Sequence, residues 1–174
     1  MHTSAYKNAE RFFFNHCKNL NSNAYILDVG SYDFNGTLKP IFKDYKYVGV
    51  DMSSGPNVDF VCKNDNIPFK DNYFDVIIST SCFEHDDFFW LTFLEMCRLV
   101  KPNGFIYINA PSGGVYHAAP VDNWRFYIDS WKAMEKWGIK NSFKIKLLES
   151  YIDDNSNYNN TDMWKDSIGI YTKL

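Results

Sequence analysis

Gly30, Gly36 and Asp51 are spaced as parts of a ligand-holding turn. The stretch ILDVGSYDFNG (26–36) runs from apolar residues into Asp-Val-Gly, and a second glycine follows six residues later. A glycine at a strand end lets a ligand approach bare backbone. Gly36 is placed to open a following helix, whose first amides favour an electron-rich group. Asp28 can accept from loop amides and hold the turn. Asp51 closes the run YVGVD, 21 residues after Gly30. A carboxylate at that distance, at the end of a second strand, can hold both hydroxyls of a ribose. The glycine spacing is not GxGxxG, because Tyr32 stands where another glycine is needed. That argues against a dinucleotide, whose pyrophosphate lies on the bare turn.

A second group of reactive side chains lies further along. His85 follows CFE, just past an apolar run that reads as the fourth strand, and His117 sits in SGGVYHAAPVD, after the fifth. Either imidazole can serve as a base near neutral pH. Glu84 can bind an amine or cap the next helix. The stretch PVDNWRFY (120–127) puts Asp122, Trp124, Arg125 and Tyr127 together. Trp124 or Tyr127 could stack on a sugar face, and Arg125 could pair with a phosphate or carboxylate through two bonds. An Asp122–Arg125 salt bridge that only shapes the loop is the plainer reading of the same residues. No metal set is expected. The pair Asp86-Asp87 has no matching Asp or Asn partners and reads as an acidic helix start.

These residues need a scaffold of alternating strands and helices. Apolar spacing predicts an amphipathic helix over 4–18 and a short helix over 36–44, where Pro40 is tolerated only in a first turn. Strands are predicted at 24–30, 46–51, 58–62, 73–81 and 105–110, and helices at 87–100 and 129–137. KPNG (101–104) is a turn by composition. Two late strands, 143–152 and 166–174, flank a polar loop at 153–163. Alternation implies a parallel sheet covered on both faces, with an antiparallel hairpin at one edge. In such sheets ligands bind beyond the carboxyl ends of the strands. All the residues singled out above fall there.

The totals narrow the partners. The chain has 174 residues, which suits one domain over 1–174, and a net charge of −3 without long basic tracts, which argues against nucleic acid. Cysteines at 17, 62, 82 and 97 form neither CxxC nor a zinc spacing. Cys62, Cys82 and Cys97 sit in apolar contexts and read as buried free thiols, in keeping with a reducing cytoplasm. No signal pattern and no run of membrane-spanning length is present.

Four pieces in order resemble the class I S-adenosylmethionine-dependent methyltransferases. They are LDVGSYDFNG, VGVDMS, NDNIPFKDNYFDVIISTSCFEH and LVKPNGFIYINAP. Together they cover about residues 24–128. The segment YHAAPVDNWRFYIDSWKAMEKWG further resembles a bacterial subgroup often associated with surface-glycan genes. The family resemblance implies a Rossmann-like, seven-stranded sheet in order 3-2-1-4-5-7-6, with strand 7 antiparallel and helices on both faces. It implies S-adenosylmethionine as cofactor. Gly30 with its neighbours Ser31 and Tyr32 would meet the methionine part, Asp51 the ribose, Met52 the adenine face, and Asp65 with Asn66 the adenine edge. Thr80 and Ser81 would line the sulfonium side. The glycine-rich loop of the family is reduced here to Gly30 and Gly36.

The function expected is methyl transfer to a small molecule, most simply to an oxygen of a sugar or phosphate-bearing glycan precursor. A base is needed only if the acceptor carries a proton at working pH, as an alcohol does. A nucleic-acid enzyme of the amino-methylating kind would carry an Asn/Asp-Pro-Pro-Tyr/Phe motif where this chain has STSCFEH. A non-catalytic partner with the same fold, and a homodimer, are compatible with the sequence.

Overall fold

The central strands are apolar at nearly every position, as strands covered on both faces must be. In the computed structural model, which describes residues 3–153 and 164–174, they are β1 (Tyr25–Val29), β2 (Lys46–Asp51), β4 (Phe74–Thr80) and β5 (Val100–Pro111). A two-residue strand, β3 (Phe60–Val61), forms one edge, and β6 (Ile145–Ile152) with β7 (Asp166–Lys173) the other. The order is β3-β2-β1-β4-β5-β7-β6. β1 to β5 pair in parallel, and β7 runs antiparallel between β5 and β6. This is the class I methyltransferase topology that the sequence leads one to expect.

Alternate residues of each strand feed different layers. Leu27, Val29, Ile77 and Ile106 face helices α2 (Phe89–Leu99) and α3 (Ile128–Lys140), where Phe93, Met96 and Trp131 are fully buried. Ile26, Val76, Ile78 and Tyr107 face α1 (Thr3–Phe12) and pack with Ala9, Phe12 and Phe42. Each large side chain so buried is worth about 1.5–3 kcal/mol, so the two layers hold the sheet firmly beneath the strand ends.

Local departures from expectation have local causes. The helix expected at 4–18 is α-helical only to Phe12, then widens into a π-turn at Phe13–Cys17. No helix forms at 36–44. Instead, amides of Ile41, Phe42 and Tyr45 bond back three residues, to Leu38, Lys39 and Phe42. Pro40 lacks an amide and cannot sit within a helical ladder. KPNG is not a free turn but a bulge inside β5: Phe74 pairs with Val100 and Val76 with Phe105, while Asn103 adopts φ 62. Of the polar loop at 153–163, all but Asp153 lies outside the described residues. Among the described residues no helix is long and apolar enough to cross a membrane.

Candidate active site at the carboxyl ends of the strands

The parallel strands end together over a cavity of about 860 Å³. That is within the range of small-molecule and cofactor sites. β1 delivers Asp28 and Gly30 to it, β2 delivers Asp51 and Met52, and β4 delivers Thr80 and Ser81. The segments after β4 and β5 add Glu84, His85 and His117, and Trp164 closes one side.

The first turn is built around Gly30. Its φ of 78 is a left-handed value that side chains disfavour. A Cβ there would stand 2.5 Å from the sulfur of Cys82. The absent side chain therefore admits Cys82 of the neighbouring loop, an internal reason for glycine that the sequence did not disclose. Amides of Gly30 and Ser31 both donate to the carbonyl of Val50. Ser31 is buried and spends its hydroxyl on the carbonyl of Asn57. Asp28 does not take loop amides. It accepts from the hydroxyl of Tyr47 on β2, and burial lifts its carboxyl to about 7. The loop after Gly30 instead hangs on Asp51, which accepts the amide of Tyr32 at 3.2 Å through one oxygen and that of Ser53 at 2.9 Å through the other. Each carboxylate oxygen has a further lone pair for a ligand hydroxyl. Gly36 begins no helix, so no helix N-terminus lies at this turn.

Tyr32 stacks on Phe34 with centroids 4.5 Å apart, and Phe34 and Met52 are both well exposed beside the cavity. They offer an apolar surface for a flat ring. Asp65 and Asn66 are not part of the lining. Asp65 borders a separate shallow depression with Leu91 and Arg98. Asn64 takes their place, with its amide nitrogen donating to the sulfur of Cys82 at 3.6 Å. Its Oδ1, and the hydroxyl of Thr80, are buried without a hydrogen-bond partner among the described residues. Buried polar atoms left unpaired are costly, and an incoming ligand would satisfy them.

The other end of the cavity is made by a short 3-10 turn, Phe83–His85, and the loop after β5. Phe83 is buried against Phe89 and Phe126, which aims Glu84 and His85 outward from the sheet. Backbone amides of Asn123 and Trp124 donate to the carbonyl of Glu84, fastening the two loops together. Glu84 caps no helix. Its side chain is almost wholly buried, its Oε1 lies 3.6 Å from Nε2 of His85, and its Oε2 has no partner among the described residues. Burial pushes its carboxyl up to about 8, and pushes the His85 imidazole below its ordinary value. His85 and His117 meet edge to face at 4.9 Å, and His117 lies 4.3 Å from the ring of Trp164. One ligand atom from each of Glu84, His85 and His117 lies within 4.8 Å of the other two.

Asp122, Trp124, Arg125 and Tyr127 are not among the residues lining the cavity. Asp122 receives Arg125 through two bonds, at 2.5 and 2.8 Å, and the amide of His117 at 2.7 Å. Arg125 also donates to the carbonyls of Val115 and Trp124. Its guanidinium holds the Asp122 carboxyl well below the usual carboxylate range. The plainer reading of this pair is the one the geometry favours. Trp124 donates its indole N–H to the carbonyl of Asp86 and packs on Phe89. Tyr127 stands at the start of α3 and shares a capping arrangement with Ser130. Asp86 accepts the amide of Phe88 ahead of α2, but the helix begins only at Phe89 and has no acidic residue in its first turn, so the acidic pair lies before the helix and not in its start. Of the cysteines, Cys17 and Cys97 are buried, whereas Cys62 and Cys82 are partly exposed, and all four are free.

Residues 27–108 match the family model described as a methyltransferase domain. Solved structures share the fold at low identity. The Burkholderia thailandensis 1,6-didemethyltoxoflavin-N1-methyltransferase, solved with 1,6-didemethyltoxoflavin and S-adenosylhomocysteine, is 15% identical. It has a TM-score of 0.74 over 98% of this chain and 79% of that one. The YcgJ protein of Bacillus subtilis is 13% identical, with a TM-score of 0.67 over 99% and 98%. The PH0226 protein of Pyrococcus horikoshii is 14% identical, with a TM-score of 0.68 over 98% and 90%. No curated protein matches the sequence. The family match over residues 27–108, the strand order and the place of the cavity agree on the class I methyltransferase fold, with S-adenosylmethionine the cofactor that the match implies.

Proposed function

We propose that the chain methylates a hydroxyl of a small, uncharged polar acceptor, most simply a sugar of a glycan precursor. The observation that carries this reading is the makeup of the cavity beyond Thr80. Glu84, His85 and His117 converge there, one polar atom of each within 4.8 Å of the other two, and the imidazoles offer nitrogens that can accept. Such a place recognises a hydrogen-bond donor, and a hydroxyl is one. The ring of Trp164 beside His117 offers a face on which a sugar can lie. No Lys or Arg is among the described residues lining the cavity, and Arg125 is spent on Asp122. The phosphate-bearing form of the acceptor is therefore the less supported one.

S-adenosylmethionine, when bound, supplies a methyl group already activated on a sulfonium. The chain's own residues do the positioning, and most of the acceleration of such a transfer can come from alignment alone. Asp51 would hold the ribose hydroxyls, Met52 and Phe34 the adenine face, and Asn64 its edge. Gly30 and Thr80 would border the amino-acid and sulfonium portion. The loop 112–128, fixed by Asp122 and Arg125, would cover the acceptor. Glu84, His85 and His117 would fix the acceptor hydroxyl and ease loss of its proton.

The test is to incubate the protein with methyl-labelled S-adenosylmethionine and a panel of free sugars, nucleotide sugars and sugar phosphates. The expected result is label in an O-methyl group of a neutral sugar ring. Label on nitrogen, or on nucleic acid alone, would overturn the assignment.

A further inference from the structure

We infer that Glu84, His85 and His117 form a binding site for one divalent first-row transition-metal ion, of which Zn²⁺ is the simplest probe. No metal-ligating spacing is legible in the chain, because the donors come from two loops that only the fold brings together.

The hydrogen bonds of the two rings carry the inference. His85 Nδ1 lies 2.5 Å from the carbonyl of Val121. A carbonyl only accepts, so this nitrogen bears the hydrogen. His117 Nδ1 lies 3.1 Å from the Asp122 carboxylate and 3.4 Å from the carbonyl of Val115, two further acceptors. With Nδ1 turned to these acceptors, Nε2 is the nitrogen that each ring leaves for a metal. Metal-binding histidines are held in this way, the second nitrogen donating to a carbonyl or carboxylate that sets tautomer and orientation. Asp122 is itself held by Arg125, so the outer shell is complete.

The third donor is independent of the rings. Glu84 is 1% exposed, and its Oε2 has no partner among the described residues. A buried carboxyl with an unpartnered oxygen beside two imidazoles lacks a partner that a cation would supply. Two imidazoles and one carboxylate are a donor set suited to zinc and its neighbours, with open positions for a further ligand. Bonds of about 2.0–2.2 Å put ligand atoms roughly 3.0–3.5 Å apart. The Glu84–His85 pair is already at 3.6 Å. The widest separation, up to 4.8 Å, would have to close, and His117, with a third of its side chain exposed, is the one placed to move. The open positions would face the cavity. On the function proposed above, on which this last step rests, they are where an acceptor oxygen would be held.

The experiment is calorimetric titration of the chelator-treated, dialysed protein with Zn²⁺, and with Co²⁺ followed by its visible absorption, in the absence of cofactor and acceptor. We expect one equivalent of each ion to bind, with cobalt bands of a mixed nitrogen and oxygen site. His117→Ala should weaken binding at least tenfold, and Glu84→Gln should do the same. S-adenosylhomocysteine binding retained by His117→Ala would show that the variant is folded. No binding by the wild-type protein, or binding that neither substitution weakens, would overturn the site. Metal binding is read here without methyl transfer, so failure to methylate sugars would overturn the acceptor assignment and leave the site standing.

Discussion

The sulfur of Cys82 fills the space that a side chain on Gly30 would need, 2.5 Å from where its Cβ would stand. Two strand ends, β1 and β4, are thus locked at the floor of the cavity. Gly30→Ala meets both this contact and a φ of 78, whose left-handed backbone alone costs about 1–2 kcal/mol. Denaturant unfolding should show a loss larger than that cost. Cys82→Gly in the same chain should recover the steric part and leave the backbone part. Equal stability of Gly30→Ala and wild type would show that the turn does not need glycine.

The Asp122–Arg125 pair should act on the acceptor and not on the cofactor. Arg125→Lys keeps the charge but cannot bridge both oxygens. The buried Asp122 carboxylate would be left short of a partner, at a cost of about 1.5–3 kcal/mol. Steady-state kinetics should show kcat/KM for the acceptor reduced about tenfold, with S-adenosylhomocysteine affinity unchanged. A loss confined to phosphorylated acceptors would instead mark Arg125 as an anion ligand.

Much of this was legible in the chain. The strands of the first half are short apolar runs bounded by glycine, asparagine and charge, and Asp51 follows Gly30 at a spacing that one mechanism explains. What was not legible depended on the third dimension. Pro40 turned an expected helix into a chain of turns. In KNDN (63–66) no periodicity says which polar side chain faces inward. The bond from the Asn66 amide to the Lys63 carbonyl decides it in favour of Asn64. Glu84 and His85 were visible as reactive types, but their meeting with His117 is a product of the Glu84 carbonyl fastening the later loop. Arg125 is open in the sequence between an anion ligand and a loop salt bridge, and the fold decides it, because Asp122 takes both its arms.

Asp28 should give the cofactor-free protein a measurable pH dependence. Burial is the main cause of its raised value, with the Tyr47 hydroxyl opposing and the nearby Asp51 charge adding to it. Its folded value of about 7 lies above the ordinary 3.8, so between those values the native state keeps a proton that the unfolded chain has released. The stability carried by this group is full below about pH 4 and is lost as pH rises through about 7. Asp28→Asn is neutral throughout. Its melting temperature should therefore gain on that of the wild type between pH 5 and pH 8. Parallel curves would show that the carboxyl titrates normally.

The central claim is that the cavity at the strand ends holds S-adenosylmethionine by way of Asp51. Calorimetric titration with S-adenosylmethionine and S-adenosylhomocysteine, in wild type and Asp51→Ala, tests it most directly. We predict micromolar binding of both by the wild-type protein, weakened at least tenfold in a variant that still melts cooperatively. Equal affinity in the two proteins, or no binding by the wild type, would contradict the assignment of this cavity.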